Sequence, residues 1–117
     1  MPTTVLIVDD HPSFRASARR MLEDAGYEVV GEAQDGNTGL EAARSLEPAV
    51  VLLDVQLPDL DGFDVAAELT SGDNPPAVVM TSSRDGSEFG GLVSSSGARG
   101  FVPKSELSGP ALEALLT

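Results

Sequence analysis

The sequence predicts an α/β fold in which a five-stranded parallel sheet carries helices on both faces. Three observations predict it. Apolar runs at residues 5–8, 50–53 and 77–80 are continuous rather than alternating, as strands buried on both faces require. Segments with apolar residues at helical spacing separate these runs. Acids close two of them, Asp9-Asp10 after the first and Asp54 after the second, so polar side chains collect at strand ends.

The first strand, 5–8, leads through His11 and Pro12 into a helix, where Pro suits the first turn. Phe14, Ala18, Met21, Leu22 and Ala25 keep helical spacing until Gly26 ends it. Residues 27–33 read as a less apolar strand near an edge. Asp35-Gly36-Asn37 is turn chemistry. Leu40, Ala43 and Leu46 then mark a short helix that Pro48 helps to terminate. Residues 50–54 form the third strand, and Pro58 and the Asp61-Gly62 turn lead to a helix through Phe63, Ala66 and Leu69. A loop at 71–76 precedes the fourth strand, 77–80, which runs into Thr81-Ser82-Ser83. Phe89, Leu92 and Val93 hint at a fourth helix. Gly86, Gly90, Gly91 and three serines weaken it, each interior Gly costing about 1 kcal/mol relative to Ala. That segment is expected to be short, frayed or mobile, with a rigid helix packed through Phe89 and Leu92 as the alternative. Residues 99–102 form the fifth strand, and Pro110, Leu112, Leu115 and Leu116 the last helix. Five successive βα units with right-handed crossovers fit strand order 2-1-3-4-5, a flavodoxin-like three-layer sandwich.

The 117 residues suit one domain covering 1–117. The absence of cysteine excludes disulfides and thiolate chemistry. A net charge of −12 argues against direct binding to nucleic acid or an anionic membrane. No run approaches the ~18 apolar residues of a membrane span, and the N-terminus lacks a basic leader, so the expected location is cytoplasmic.

In a doubly wound sheet, ligands bind at the carboxyl ends of strands where the strand order switches. Here that switch lies between strands one and three, which deliver Asp9, Asp10 and Asp54. Carboxylates so gathered repel one another, and a divalent cation relieves the repulsion. An all-oxygen donor set favours Mg²⁺, with Mn²⁺ as the alternative. The neighbouring strand ends add hydroxyls at Thr81 and Ser82 and an ammonium at Lys104. Metal and Lys facing one acid is the electrostatic arrangement that phosphoryl transfer needs. Each part also has a plainer role: Asp9-Asp10 and Asp54 as caps, Lys104 as an edge residue, and the hydroxyls as turn residues.

The segments VLIVDDH at 5–11, D-x-x-x-P-x-x-D-G from Asp54 to Gly62, the hydroxyls at 81–83 and GARGFVPK at 97–104 resemble the receiver domains of two-component response regulators. The resemblance covers essentially the whole chain. The DDHPSFR opening at 9–15 and the GARGFVPK segment look like the receivers of transcription regulators that carry a helix-turn-helix output domain. It implies that Asp54 is the phosphoacceptor. It implies that Asp9, Asp10, Asp54 and the backbone carbonyl of Gln56 hold Mg²⁺, and that Lys104 pairs with the phosphoryl oxygens. Phe101 takes the position of the family's rotating aromatic. The switch hydroxyl is Ser82 when counted back from Lys104, with Thr81 as the alternative because it directly follows the apolar run. Ser105 stands where many receivers carry Pro, which makes a cis peptide after Lys104 less secure.

The resemblance further implies phosphorylation by a sensor histidine kinase or phosphotransfer protein. The aspartyl phosphate would switch the helix 4–strand 5–helix 5 surface toward an output domain or protein. By the same resemblance the domain is expected to catalyse its own Mg²⁺-dependent phosphorylation and dephosphorylation rather than to act as a turnover enzyme. It is expected to be a monomer, with dimerisation on phosphorylation as the alternative. Competing readings are a phosphorylation-independent interaction module, a haloacid-dehalogenase-type enzyme and a flavodoxin-like cofactor binder. The enzyme reading requires an acid where Gln56 stands. The cofactor reading requires a phosphate loop where Asp9-Asp10 would repel the anion.

Overall fold

The computed structural model describes residues 2–83, 89 and 91–117. Five parallel strands form one sheet in the order β2-β1-β3-β4-β5. The elements are β1 (Thr4–Val8), α1 (Pro12–Asp24), β2 (Glu28–Ala33), α2 (Gly36–Leu46), β3 (Val50–Asp54), α3 (Gly62–Leu69), β4 (Ala77–Ser82), α4 (Leu92–Ser95), β5 (Gly100–Pro103) and α5 (Gly109–Leu116).

Side chains alternate across each strand, so every strand feeds two cores. Leu6, Val8, Val51, Leu53, Val78 and Met80 pack with α2, α3 and α4 through Leu40, Val65, Ala66 and Val93. Val5, Ile7, Val50, Leu52, Val79 and Val102 pack with α1 and α5 through Ala18, Leu22 and Leu112. These two cores explain the continuous apolar runs: β1 and β3 have no solvent face. At about 25 cal/mol per Å² of buried apolar area, the central strands carry much of the fold's stabilisation.

Several boundaries differ from the sequence-based expectation. Helix α2 begins at Gly36, within the expected turn, because Asp35 accepts a hydrogen bond from the Thr38 amide at 2.8 Å and starts the helix early. It ends on Glu47 in a left-handed conformation (φ 48°) just before Pro48. Strand β4 continues through Thr81 and Ser82, which pair with β5 instead of forming a turn. Helix α4 has only four residues. Gly86 and Gly90, on which the expectation of a weak fourth helix partly rested, lie outside the described residues. No cis peptide occurs among the described residues, and Lys104 opens a 3₁₀ turn, Lys104–Glu106.

Candidate functional site

The carboxyl ends of β1, β3 and β5 bring Asp9, Asp54 and Lys104 to one edge of the sheet. Asp9 is fully buried and Asp54 is 4% exposed. Each lies two residues beyond a residue of the α1/α5-side core, Ile7 and Leu52 respectively, so alternation turns both toward that face. Lys104 reaches in from β5: its Nζ is 2.7 Å from Asp9 Oδ2 and 3.3 Å from Asp54 Oδ2. Asp10, which is more exposed, completes the acidic group. Asp9, Asp10, His11 and Asp54 each offer a ligand atom, and these atoms lie within 4.8 Å of one another.

The electrostatics of the two buried acids diverge. Burial pushes the Asp9 carboxyl up, but Lys104 and the backbone and side chain of His11 outweigh it, leaving its pKa below the usual carboxylate value. The His11 amide donates to Asp9 Oδ1 at 2.8 Å. Burial also pushes Asp54 up. The Gln56 amide, donating to Asp54 Oδ1 at 3.1 Å, and the more distant Lys104 do not offset burial and the neighbouring Asp9 charge, so the Asp54 pKa is raised.

The residues fit a hard divalent cation. Three carboxylates converge, and Asp9 Oδ2 is buried with no well-directed hydrogen bond among the described residues, although Lys104 lies beside it. Such an oxygen is available to a metal. Gln56 forms a bridge with Asp61, which holds the loop after β3 at this edge. The Val55 carbonyl accepts from the Gly62 amide at 2.8 Å. Gly62 is required there, because a Cβ would press on the Asp54 carbonyl and lie 2.6 Å from that of Val55.

The two candidate hydroxyls take different faces. Thr81 stands beside Asp54 in register, on the α1/α5 face. Its Oγ1 is buried without a hydrogen-bond partner among the described residues. Ser82 is also buried, but alternation places it on the opposite face with Met80, whose partner in β5 is Phe101. Phe101 is half-buried, its ring centroid 5.4 Å from Phe89, which in turn meets Phe63 edge-on at 5.6 Å.

Sequence reasoning placed His11 only at the entry to the first helix and Phe14 only on its apolar face, and the structure brings both to this edge. His11 Nδ1 is 2.9 Å from Asp9 Oδ1, 3.2 Å from Asp10 Oδ1 and 3.4 Å from Lys104 Nζ. Its position directly after two acids at a strand end was the available signal. Arg15 also supports the loop, donating to the Asp9 carbonyl at 2.6 Å while its Nε contacts Glu32.

The family model described as the response regulator receiver domain matches residues 5–115. BvgA of Bordetella pertussis, a putative positive transcription regulator of virulence factors, is 42% identical over 106 residues, covering 91% of this chain and 51% of that protein. The transcriptional regulatory protein PdtaR of Mycobacterium tuberculosis is 35% identical over 117 residues, covering 92% and 57%. The chain thus spans about half the length of these curated relatives. Among solved structures, the receiver domain of the putative response regulator NarL from Mycobacterium tuberculosis superposes with a TM-score of 0.87 at 34% identity, covering 98% of this chain and 97% of that one. A LuxR-family response regulator from Aurantimonas sp. gives a TM-score of 0.88 at 30% identity, with 99% and 86% coverage. Because the family model runs from the first strand into the last helix, and relatives agree with it in both sequence and fold, the chain belongs to the response regulator receiver domains of two-component systems.

Proposed function

We propose that Asp54 of this receiver accepts a phosphoryl group from a phosphohistidine of a sensor kinase or phosphotransfer protein, and that the resulting charge switches an output. The observation that carries the reading is a buried carboxylate with a Lys ammonium 3.3 Å away and two further acids beside it. An Asp54 carboxylate oxygen attacks phosphorus in line. The O–P bond forms as the P–N bond to the donor imidazole breaks, and the imidazole leaves with the bonding pair. Lys104 meets the charge of the transferred oxygens. A divalent cation, Mg²⁺ or Mn²⁺, held by Asp9, Asp10, Asp54 and the Gln56 carbonyl would neutralise part of that charge. Water later attacks the acyl phosphate and returns the carboxylate.

Ser82 is the hydroxyl we assign to read the phosphoryl group, because its face is that of Phe101, the aromatic expected to change position. Thr81, on the other face, is the alternative. The domain works in the cytoplasm, as one part of a longer regulator or beside a separate output protein, and the relatives' transcriptional roles make transcription the favoured output. Nucleic-acid contact belongs to that output part, in keeping with the net charge of −12.

Mass spectrometry of the chain after incubation with Mg²⁺ and a small acyl phosphate tests the reading. One added phosphoryl group is expected, lost in Asp54→Ala and on omission of the metal. An unmodified wild-type chain, or a modified Asp54→Ala chain, would refute it.

A further inference from the structure

Lys104 carries its charge on a flexible four-carbon stem, and productive pairing with a phosphoryl group requires that stem to be held. Two acids and His11 surround its Nζ on the sheet side. Another side faces an aromatic ring: Nζ lies 4.4 Å from the centroid of the Phe14 ring. Phe14 sits in the first turn of α1 and is packed on the α1/α5-side core, so the ring itself is anchored. The Lys104 side chain is only 15% exposed, which reduces the solvent screening of a cation over a ring.

We propose that Phe14 is a positioning residue for the phosphoryl-transfer site, its π face holding the Lys104 ammonium in reach of Asp54. The inference rests on Asp54 being the phosphoacceptor. An aliphatic side chain of similar bulk would preserve the packing of α1 and lose the attraction. The ring thus selects among Lys104 conformations, while the acids supply most of the charge.

Site-specific replacement of Phe14 by mono-, di- and trifluorinated phenylalanine tests this, since fluorine drains the ring face with little change in volume. The probe is beryllofluoride with Mg²⁺, a mimic of the phosphoryl group on Asp54. Its affinity should fall stepwise, by roughly fivefold across the series, and Phe14→Leu should lie near the weak end. The Lys104 Nζ resonance should move progressively with fluorination in metal-free protein, which a purely structural role for Phe14 would not produce. A flat affinity series, or weaker affinity with an unmoved Lys104 resonance, overturns the proposal while leaving Asp54 as the acceptor. A wild-type chain that takes up no beryllofluoride overturns both.

Discussion

Asp9 and Asp54 share one ammonium and differ in pKa, and this has opposite consequences for stability. The raised pKa of Asp54 means that its protonated form suits the fold; stability from this group is present at acid pH and is lost as pH rises through the folded value. The lowered pKa of Asp9 means the reverse: its contribution is present above the ordinary carboxylate range and is lost as pH falls through the folded value. At neutral pH without divalent cations, Asp54→Asn should therefore stabilise the protein, by on the order of 1 kcal/mol, and Asp9→Asn should destabilise it. Urea unfolding of both variants across pH checks the two signs; destabilisation by Asp54→Asn would show that Lys104 outweighs burial at that site. The hydroxyls separate in the same manner. Thr81→Val removes a buried oxygen that has no partner among the described residues, and should raise stability by about 1 kcal/mol with phosphorylation retained. Ser82→Ala should uncouple the Phe101 ring, so that its NMR signals no longer shift on phosphorylation. If Thr81→Val and not Ser82→Ala has that effect, the assignment is reversed.

The loop between β3 and α3 links the site to a neighbouring helix. Asp59 accepts hydrogen bonds from the Gly36 and Asn37 amides at 2.7 and 3.0 Å, capping α2 from 22 or more residues away. The Asn37 amide, with the Gly36 amide adding to it, holds the Asp59 pKa below the usual carboxylate value, so the cap is present at neutral pH and is lost as pH falls through that lowered value. Asp59→Ala should speed hydrogen exchange at Gly36 and Asn37 while sparing α5; equal exchange in the variant would show that Asp35 suffices. Gly62→Ala should be more severe, at about 2 kcal/mol or more, because the clash is with the Asp54 and Val55 carbonyls rather than a flexible side chain. These links show what a sequence can reveal. Strands β1 and β3 were legible because burial on both faces leaves an unbroken apolar run, and Asp54 because it closes one. The start of α2 was legible only in part, since Asp35 is a local cap but the second cap, Asp59, comes from a distant loop. The ring of Phe14 beneath Lys104, 90 residues later in the chain, was not: its helical spacing accounted for it fully as core. Likewise, one apolar run could not show that Thr81 lies beside Asp54 in register while Ser82 pairs with Pro103; pairing with β3 and β5 was required.

Across the whole molecule, 19 acids face 7 basic residues, so two kinds of cation effect are superimposed. The net charge of −12 opposes compaction everywhere, and any salt that screens it over a Debye length of ~10 Å at 0.1 M should stabilise the fold. A divalent cation held at Asp9, Asp10 and Asp54 would act differently, by binding the folded state alone, since only folding brings these acids from β1 and β3 together. Saturation at ~100 times the dissociation constant should then add about 2.7 kcal/mol, whatever the background salt. The two effects separate at matched ionic strength. Exchanging NaCl for MgCl₂ should raise the thermal midpoint of the wild type and leave Asp9→Asn nearly unmoved, while added NaCl raises both. Equal Mg²⁺ shifts in the two proteins would mean that the acidic surface as a whole, not the cluster at the strand ends, takes up the ion, and the metal assignment at Asp9 would fall with it.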